Sequence, residues 1–450
     1  MTDQELCIAI ARRVQKAGGR TFYVGGCVRD KYRQQENKDL DIEVHGISED
    51  TLLEILKESG KVHSFGRSFG ILAISGHNVD IGMPRKEINT GKRHRDFEVA
   101  IDPYIGYEEA ARRRDFTINA LMEDVLSGEL IDCFHGLEDL KNGIIRCVDP
   151  ATFIEDPLRV LRAAQFAARF DYTIEPSTLF LCQGIDISTL SKERVLEETR
   201  KALGKSRKPS TYFESLRKMN QLSFWYKEIE DLIGVIQDPL YHPEGDVYTH
   251  TMEVLDRAAN YLDKVSDPYR FEMLALCHDF GKVITTQTID GRIHSYGHEI
   301  KGLSLVKSFC QRFDPRKTTS SYLLNMVPLH MRPLTLAQDH SSIKACNHLF
   351  DQALAPQDLI YISCADSGLS EDDEKIIFLK ERYALYEEYM ARDYVTGADL
   401  LAAGIQPYKG FSLLLAYAHK LRLAGVDKET ALKMTLGCYQ KNIQHGNSVE

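Results

Sequence analysis

The chain has 450 residues, of which 43% are hydrophobic, and a formal net charge of −10. This length predicts about two to four domains, and the acidic balance excludes a general polyanion binder, so any nucleic acid must be held by a local basic surface. The ten cysteines form no CxxC pair, the N-terminus is polar, and no apolar run is long enough to span a membrane, which together predict a cytoplasmic protein without membrane contact and without a disulfide frame or zinc cage.

The first predicted elements surround a short stretch with two glycines. Residues 4–18 predict an amphipathic helix, residues 21–24 predict a strand, and a helix is expected from Val28 onward. Gly25 and Gly26 break the strand, and such a loop lets a phosphate chain approach backbone N–H groups and the following helix N-terminus. An ordinary turn is the alternative interpretation.

A pair of carboxylates follows this loop. Asp39 and Asp41 are two residues apart beside an apolar run, so on a strand they project from the same face. Adjacent carboxylates repel each other, and Mg²⁺ commonly binds one or two carboxylates together with substrate phosphates. With the glycine loop and Arg29, the pair indicates metal-assisted chemistry on a nucleoside triphosphate; by itself it could be a solvated acidic edge.

The next segment predicts a small α/β unit with a mixed sheet. A helix is expected over residues 48–60 and strands over residues 71–75 and 78–83. Asp80 in the second of these strands either reaches the Asp39/Asp41 site or is a structural carboxylate at a strand end. Residues 84–95 are polar, basic and aperiodic, and predict a mobile loop that contacts a nucleotide or RNA backbone, or else a solvated surface loop.

Three consecutive arginines, at residues 112–114, precede an apolar helical pattern. Guanidinium groups bind phosphate oxygens in a bidentate manner, so these side chains are expected to face phosphates. Asp115 and Asn119 are four residues apart and are expected on one helix face, within reach of ribose hydroxyls or of the loop that holds the nucleotide.

From residue 150 to about residue 235 the pattern is nearly all helical. Pro157 suits a first helical position, and Asp156, Arg159 and Arg162 follow at a spacing of three, so they are expected to line one polar band. Two interpretations are open for Asp156 and Arg159. They form a surface ion pair, or they present an acceptor and a donor side by side to read the edge of a base.

Five motifs occur in the order found in the class II tRNA nucleotidyltransferases, the CCA-adding enzymes, and in the related bacterial poly(A) polymerases. They are YVGGCVRD, KDLDIEV, RRRDFTINAL, DCFHGLEDLKNGIIR and FIEDPLRVLRAAQFAARF. The chain resembles this family over roughly residues 20–200. By this resemblance, Asp39 and Asp41 would hold the catalytic magnesium ions, and Gly26 and Arg29 would hold the triphosphate.

The resemblance also implies roles for the later motifs. Arg114 would contact the nucleotide, with Asp115 and Asn119 beside it. Asp156 and Arg159 would act as an amino-acid template that pairs with the base of CTP or ATP, and Arg162 would also lie at the nucleotide. This implied role outweighs the ion-pair interpretation of the helix.

Histidines are concentrated after about residue 241. His250, the adjacent His278 and Asp279, and Asp366 resemble the H…HD…D pattern of the HD phosphohydrolases. His298 and His330 match the additional histidines of the two-metal members. This resemblance implies a divalent transition metal, which imidazole and carboxylate ligands suit better than magnesium, and a phosphohydrolase activity on RNA 3′ ends. A degenerate HD domain kept as a scaffold is the alternative.

We therefore expect an α+β protein in four parts: a small α/β nucleotidyltransferase head with a mixed sheet (1–150), a helical neck and body for base recognition and RNA binding (151–235), a helical HD metal-binding domain (236–370) and a helical tail (371–450). The expected activity is magnesium-dependent, template-independent addition of CCA, from CTP and ATP, to the 3′ end of tRNA.

Three alternatives to this activity are open. Within the same class, the chain could be a poly(A) polymerase or an enzyme that adds only CC or only A, because these enzymes share the motif residues. Outside it, the chain could be a metal-dependent phosphohydrolase whose head only binds RNA, against which the intact Asp39, Asp41 and Arg29 argue. A non-catalytic RNA-binding protein is the third, and two complete metal-binding patterns argue against it.

Overall fold

The structure is a computed structural model that describes residues 1–35, 39–65, 71–89 and 97–444. It divides into two compact units, Met1–Phe224 and Trp225–Glu450. Each unit has a hydrophobic core of its own. No helix in the described ranges is both long enough and apolar enough to cross a membrane.

A mixed sheet forms the centre of the first unit. Among the described residues its strand order is β3-β4-β5-β2-β1-β8-β9, with β2 and β5 parallel and the other neighbouring pairs antiparallel. The short pairs β6–β7 and β10–β11 lie outside this sheet. The strands are β1 Arg20–Val24, β2 Leu40–His45, β3 Val62–Phe65, β4 Ile71–Ile74, β5 Val79–Gly82, β6 Arg85–Asn89, β7 Phe97–Ile101, β8 Met122–Asp124, β9 Leu130–Ile131, β10 Ile144–Ile145 and β11 Thr173–Ile174.

Helices surround this sheet and then continue without it. They are α1 Asp3–Lys16, α2 Gly26–Tyr32, α3 Glu49–Lys57, α4 Tyr107–Arg112, α5 Gly136–Asn142, α6 Pro150–Phe153, α7 Leu158–Phe170, α8 Pro176–Gln183, α9 Lys192–Lys205 and α10 Ser210–Lys218. Short 3₁₀ helices lie at Thr117–Asn119 and Ile187–Thr189.

The second unit is helical apart from one hairpin, β12 Gln287–Ile289 and β13 Arg292–His294. Its helices are α11 Lys227–Glu230, α12 Val247–Ala258, α13 Pro268–Cys277, α14 Lys282–Thr285, α15 His298–Lys301, α16 Leu303–Phe313, α17 Lys317–Met326, α18 Arg332–Gln338, α19 Ile343–Gln352, α20 Pro356–Ser367, α21 Glu374–Ala391, α22 Gly397–Ala402, α23 Phe411–Leu423 and α24 Lys428–Gln444. Further 3₁₀ helices lie at Ala259–Tyr261 and Val327–Leu329.

Helix α1 shows how local sequence places an element on the sheet. Thr2 and Glu5 form a capping box at its N-terminus, which satisfies backbone N–H groups that the helix leaves without partners. Leu6, Ile10 and Val14 recur at a spacing of four and are completely buried, so one apolar face packs into the core beside β2.

The fold class is confirmed: an α+β chain with a mixed sheet in the head, followed by helices. Three local predictions are wrong. The expected loop over residues 84–95 contains the strand β6, which pairs with β7; residues 90–95 lie outside the described ranges. Asp115 and Asn119 do not share a helix face, since only a 3₁₀ turn at Thr117–Asn119 forms there.

The third correction concerns the predicted template helix. Helix α7 begins at Leu158, with Pro157 as its N-cap residue. Asp156 therefore lies before the helix, where its Oδ1 accepts a hydrogen bond of 3.0 Å from the backbone N–H of Leu158. The expected band of Asp156, Arg159 and Arg162 on one helix is limited to the two arginines, because the helix begins at Leu158, two residues after Asp156.

Candidate functional site

Acidic side chains meet at the centre of the mixed sheet. Asp41 on β2 is the direct partner of Asp80 on the parallel strand β5, and Asp39 lies immediately before β2. Burial and the nearby charges of Asp80 and Asp39 raise the pKa of Asp41 to about 6, against the opposing charge of Arg114. Carboxylates at neighbouring positions of this kind suit a divalent cation, which would relieve their repulsion through oxygen ligands. Of the two interpretations of Asp80, its position favours the one in which it reaches this site.

Glu43 is a site residue that the sequence interpretation missed. It follows Asp41 by two residues on the same strand and is buried. Its Oε2 lies 3.1 Å from Arg114 Nη2 and 3.5 Å from Arg113 Nη2. Although burial acts to raise it, the hydrogen bond with His45 and the charges of the two arginines hold the pKa of Glu43 at about 2. The alternation of Asp39, Asp41 and Glu43 along one strand face was the signal that could have identified it.

The glycine loop lies against Arg114. Gly25 has a φ of +69° and caps α2, a backbone conformation that glycine adopts without strain. A Cβ atom at Gly25 would lie 3.2 Å from Arg114 Nη1. The loop, including Gly26, and the arginine predicted to contact the nucleotide are therefore direct neighbours.

A buried chain of hydrogen bonds joins four of the predicted nucleotide-binding residues. Arg29 Nη1 donates to Asn119 Oδ1 at 2.6 Å, and Asn119 Nδ2 donates to Asp115 Oδ1 at 2.9 Å. Arg162 Nε donates to Asp115 Oδ2 at 2.7 Å. Arg29 is also paired with Asp30 through Nε and Nη2. These hydrogen bonds connect α2, the 3₁₀ turn and α7 to one another.

The backbone N–H of Arg159 donates to the carbonyl of Asp156 at 3.0 Å, but no hydrogen bond between their two side chains occurs among those described. Arg159 Nη1 donates to the backbone carbonyl of Thr152 at 2.7 Å, and its Nη2 donates to the carbonyl of Arg113 at 2.6 Å. Asp156 Oδ2 lies 3.1 Å from Nη2 of Arg194 on α9. The i,i+3 spacing of Asp156 and Arg159 suggested an ion pair between them, but in the fold each side chain has other partners.

The predicted metal-binding and nucleotide-binding residues of the first unit, together with Asp80, Glu43 and Arg194, line one cleft of about 1220 Å³. Its volume exceeds the range of about 300–1,000 Å³ that is usual for small-molecule sites, which leaves space for a nucleotide and part of a second ligand. Beyond the carboxylates, α7 and α9 add a basic lining made of Arg159, Arg162, Arg169, Arg194, Lys201 and Lys205. This is the kind of local basic surface that an acidic protein needs to bind nucleic acid.

A second cluster lies in the second unit and contains the six predicted HD residues. His250 on α12, His278 at the end of α13 and Asp279 present ligand atoms within 4.8 Å of one another. Asp279, His298 on α15 and His330 form a second group with the same closeness. Asp366 on α20 completes the cluster, with its Oδ1 2.9 Å from His250 Nε2. Asp279 is shared by the two groups.

The orientation of the histidine rings fits a metal. His278, His298 and His330 each direct Nδ1 to a backbone carbonyl three residues earlier, at 2.8, 2.9 and 2.6 Å. Their Nε2 atoms and both Asp279 carboxylate oxygens are buried without a hydrogen bond of acceptable geometry among the described residues, although Asp279 Oδ1 lies 3.1 Å from His298 Nε2 and Oδ2 lies 2.7 Å from Lys282 Nζ. Buried polar atoms without good hydrogen bonds are costly unless something binds them, and metal-binding histidines usually donate the other ring N–H in this way.

The cluster includes residues that the sequence interpretation did not assign. Lys282 Nζ lies 2.7 Å from Asp279 Oδ2 and donates to Gln237 Oε1 at 2.8 Å. Its position three residues after Asp279 was the available signal. Gly281 permits close helix packing here, because a Cβ atom would lie 2.0 Å from the carbonyl oxygen of His298.

Comparison with known proteins agrees with both clusters. Residues 21–146 match the poly A polymerase head domain, and residues 247–367 match the HD domain. Both kinds of domain imply dependence on divalent metal ions. The fold is similar to that of the Thermotoga maritima CCA-adding enzyme complexed with tRNA, with a TM-score of 0.67 at 21% identity, covering 97% of this chain and 95% of that one.

Two curated relatives have a higher sequence identity to this chain. The multifunctional CCA protein of Pasteurella multocida is 38% identical over 300 residues, which cover 65% of this chain and 69% of the relative. The multifunctional CCA protein of Nitrosococcus oceani is 37% identical over 313 residues, which cover 69% of this chain and 74% of the relative. The chain belongs to the family of the multifunctional CCA proteins.

Proposed function

We propose that this chain adds CCA, from CTP and ATP, to the 3′ end of tRNA without a nucleic-acid template. The observation that carries the proposal is that Asp39 and Asp41 line the same cleft as Asp156 and Arg159. The carboxylates proposed to bind metal and the side chains proposed to recognise a base thus line the same cleft. The 37% identity to a multifunctional CCA protein supports the same substrate.

The chemistry follows from the residue types. The 3′-hydroxyl oxygen of RNA bonds to the α-phosphorus of the nucleotide, the bond to the β-phosphate breaks, and pyrophosphate leaves. Magnesium ions held by Asp39 and Asp41 would activate the hydroxyl and neutralise charge on the leaving oxygens. Arg114, at the glycine loop, is placed to bind phosphate oxygens, and catalysis is mostly positioning and charge stabilisation.

Base choice rests on Asp156 and Arg159. The two carbonyl groups that Arg159 contacts use two of its five N–H donors, so three N–H groups are available to a base while the guanidinium stays fixed. Side-chain recognition of a base edge is worth about 1–3 kcal/mol of discrimination. Asp156→Ala or Arg159→Ala should therefore relax the preference for CTP over UTP by about 5- to 150-fold, with a smaller effect on RNA binding.

Sequencing the 3′ ends made on one truncated tRNA, with all four nucleotides present, tests the activity. Ends that stop at CCA support the proposal. Ends that stop after CC, ends that gain only A, and long A tails each identify one of the alternative enzymes of the class. Absence of any extension contradicts the proposal.

The second cluster supports a second activity, a metal-dependent phosphohydrolase acting on RNA 3′ ends. The orphaned Nε2 atoms and the Asp279 oxygens carry this proposal, since their histidine-rich set suits a divalent transition metal. The test is incubation with an RNA ending in a 2′,3′-cyclic phosphate and added Co²⁺, Ni²⁺ or Mn²⁺: one water opens the ring to a 2′- or 3′-phosphomonoester, and a second water hydrolyses that monoester and releases phosphate. A chain that binds these ions and catalyses neither step would support the scaffold interpretation.

Two broader assignments complete the proposal. The division into head (1–150), neck and body (151–235), HD domain (236–370) and tail (371–450) assigns the magnesium carboxylates to the first part, the base-recognition residues to the second and the HD cluster to the third. A reducing cytoplasmic compartment is supported by ten free cysteines, of which all but Cys133 and Cys438 are buried.

A further inference from the structure

The acceptor bonded to Nδ1 distinguishes His250 from the other three histidines of the HD cluster. His278, His298 and His330 lie at the ends of helices, where a nearby backbone carbonyl is available to Nδ1. His250 lies inside α12, where carbonyl groups accept the helix's own hydrogen bonds. A side chain takes the place of the carbonyl: Glu244 Oε1 lies 2.7 Å from His250 Nδ1.

Glu244 is itself held in place. The same Oε1 lies 3.0 Å from His242 Nδ1, and the rings of His242 and His250 meet edge to face with centroids 4.8 Å apart. The Glu244 side chain is only 14% exposed and that of His250 only 3%. One carboxylate oxygen thus accepts from two imidazole rings in a site with little access to water.

We propose that Glu244, held by His242, is a positioning residue of the HD metal site. The carboxylate accepts the Nδ1 proton of His250, which fixes the tautomer that leaves the Nε2 lone pair facing Asp279 and Asp366. The inference rests on the proposed metal binding by this cluster. Loss of such a partner typically lowers metal affinity by about 10–100-fold.

Proton accounting argues against a separate metal bound by His242, Glu244 and His250 beside the HD metal. These three residues do lie close enough to bind an ion. However, His250 cannot give Nδ1 to that ion and Nε2 to the HD metal without losing its ring proton. His242 and Glu244 would then remain as only two ligands from this group. The carboxylate is therefore better described as a partner of His250 than as a ligand of another ion.

Titration of the metal-free full-length chain with Co²⁺ tests the inference, with visible absorption of the bound ion as the readout. Asp39→Ala and Asp41→Ala are present throughout, so that the head does not contribute. Glu244→Ala should raise the Kd about 10–100-fold. Glu244→Gln should fall between wild type and Glu244→Ala, because an amide oxygen accepts from Nδ1 but carries no charge. Circular dichroism confirms that each variant is folded.

Glu253→Gln is the matched control. Glu253 lies on the same helix, is 48% exposed and pairs only with Arg257 in the contacts described, so its replacement should leave the Kd unchanged. Equal affinities for Glu244→Ala and this control, together with loss of binding in His250→Ala, would overturn the positioning role alone. A parent chain that binds no Co²⁺ overturns both the inference and the proposed HD activity. Loss of one metal equivalent in His242→Ala would overturn the inference in favour of a separate ion.

Discussion

Asp156 and Arg194 are joined by an ion pair in which Oδ2 and Nη2 lie 3.1 Å apart. The pair connects Asp156, which precedes α7, with helix α9. The exposed fraction is 31% for the Asp156 side chain and 39% for the Arg194 side chain. An ion pair with this exposure contributes at most about 1 kcal/mol to stability. Its importance is geometric, because it sets the position of a carboxylate that is proposed to read a base.

Arg194→Ala is expected to reduce base discrimination. Without its guanidinium partner, the Asp156 carboxylate has more freedom, so the preference for CTP over UTP should fall, by less than for Asp156→Ala. Single-nucleotide incorporation into a tRNA lacking its 3′ end measures this ratio. The melting temperature should change little.

Arg13→Ala is the control for that variant. Arg13 has a similar exposure of 37% and an ion pair with Glu58 outside the cleft. Unchanged selectivity in Arg194→Ala, or an equal loss in both variants, would remove Arg194 from base recognition.

Asp41→Ala should abolish nucleotide addition. Asp41 lies on β2 directly opposite Asp80 on β5, so its removal takes away a proposed metal ligand and reduces the local negative charge. Incorporation of labelled CTP and ATP should drop by about a thousandfold or more, since positioning and charge stabilisation supply most of the catalysis. Asp39→Ala should behave in the same way.

Asp50→Ala is the matched control for these aspartate variants, because Asp50 is exposed on α3. It should retain normal incorporation. Measurable incorporation by Asp39→Ala and Asp41→Ala together would refute the assignment of the head site.

The sequence predicted which residues lie together in each candidate site, because the functional side chains of each motif are only a few positions apart in the chain. Asp39 and Asp41 are two residues apart at the start of β2, and His278 and Asp279 are adjacent. Partners distant in the chain were not predictable in this way. Arg194 follows Asp156 by 38 residues, and only the packing of α9 against α7 brings them together.

Local patterns also gave limited information on backbone geometry. The arginine-rich run before Asn119 predicted a helix, whereas the chain makes only a 3₁₀ turn, yet the Asp115–Asn119 hydrogen bond exists. Glu43 was not predicted because its position in the sequence is that of an ordinary strand residue. Its arginine partners lie 70 and 71 residues away in the chain.

Glu272 makes the stability of the second unit dependent on pH. It is completely buried on α13, and neither carboxylate oxygen has a hydrogen-bond partner among the described residues. Burial raises its pKa from 4.5 to about 8. Between these values the folded chain keeps the proton and the unfolded chain releases it. Its stabilising contribution is therefore complete below about pH 4.5 and is lost as the pH rises to about 8, with a slope of at most about 1.4 kcal/mol per pH unit.

Glu272→Gln removes this titration while keeping nearly the same volume. Compared with wild type, the variant should gain stability steadily from pH 5 to pH 8, as measured by thermal or urea unfolding at each pH. Glu253→Gln, which changes an exposed glutamate, should show no such trend. A difference between Glu272→Gln and wild type that is constant over this range would show that Glu272 does not titrate in it.

His278→Ala and Asp279→Ala should separate the two proposed activities. These residues supply the orphaned Nε2 and carboxylate oxygens at the centre of the HD cluster, so metal-dependent release of phosphate from a 2′,3′-cyclic end should be lost. Nucleotide addition should stay near normal, because its proposed residues all line the cleft of the first unit. Asp41→Ala provides the reciprocal case, with addition lost and phosphate release kept. If addition also collapses in the His278 and Asp279 variants, the HD cluster is a structural element of the transferase, since a hydrolytic site alone would leave addition intact.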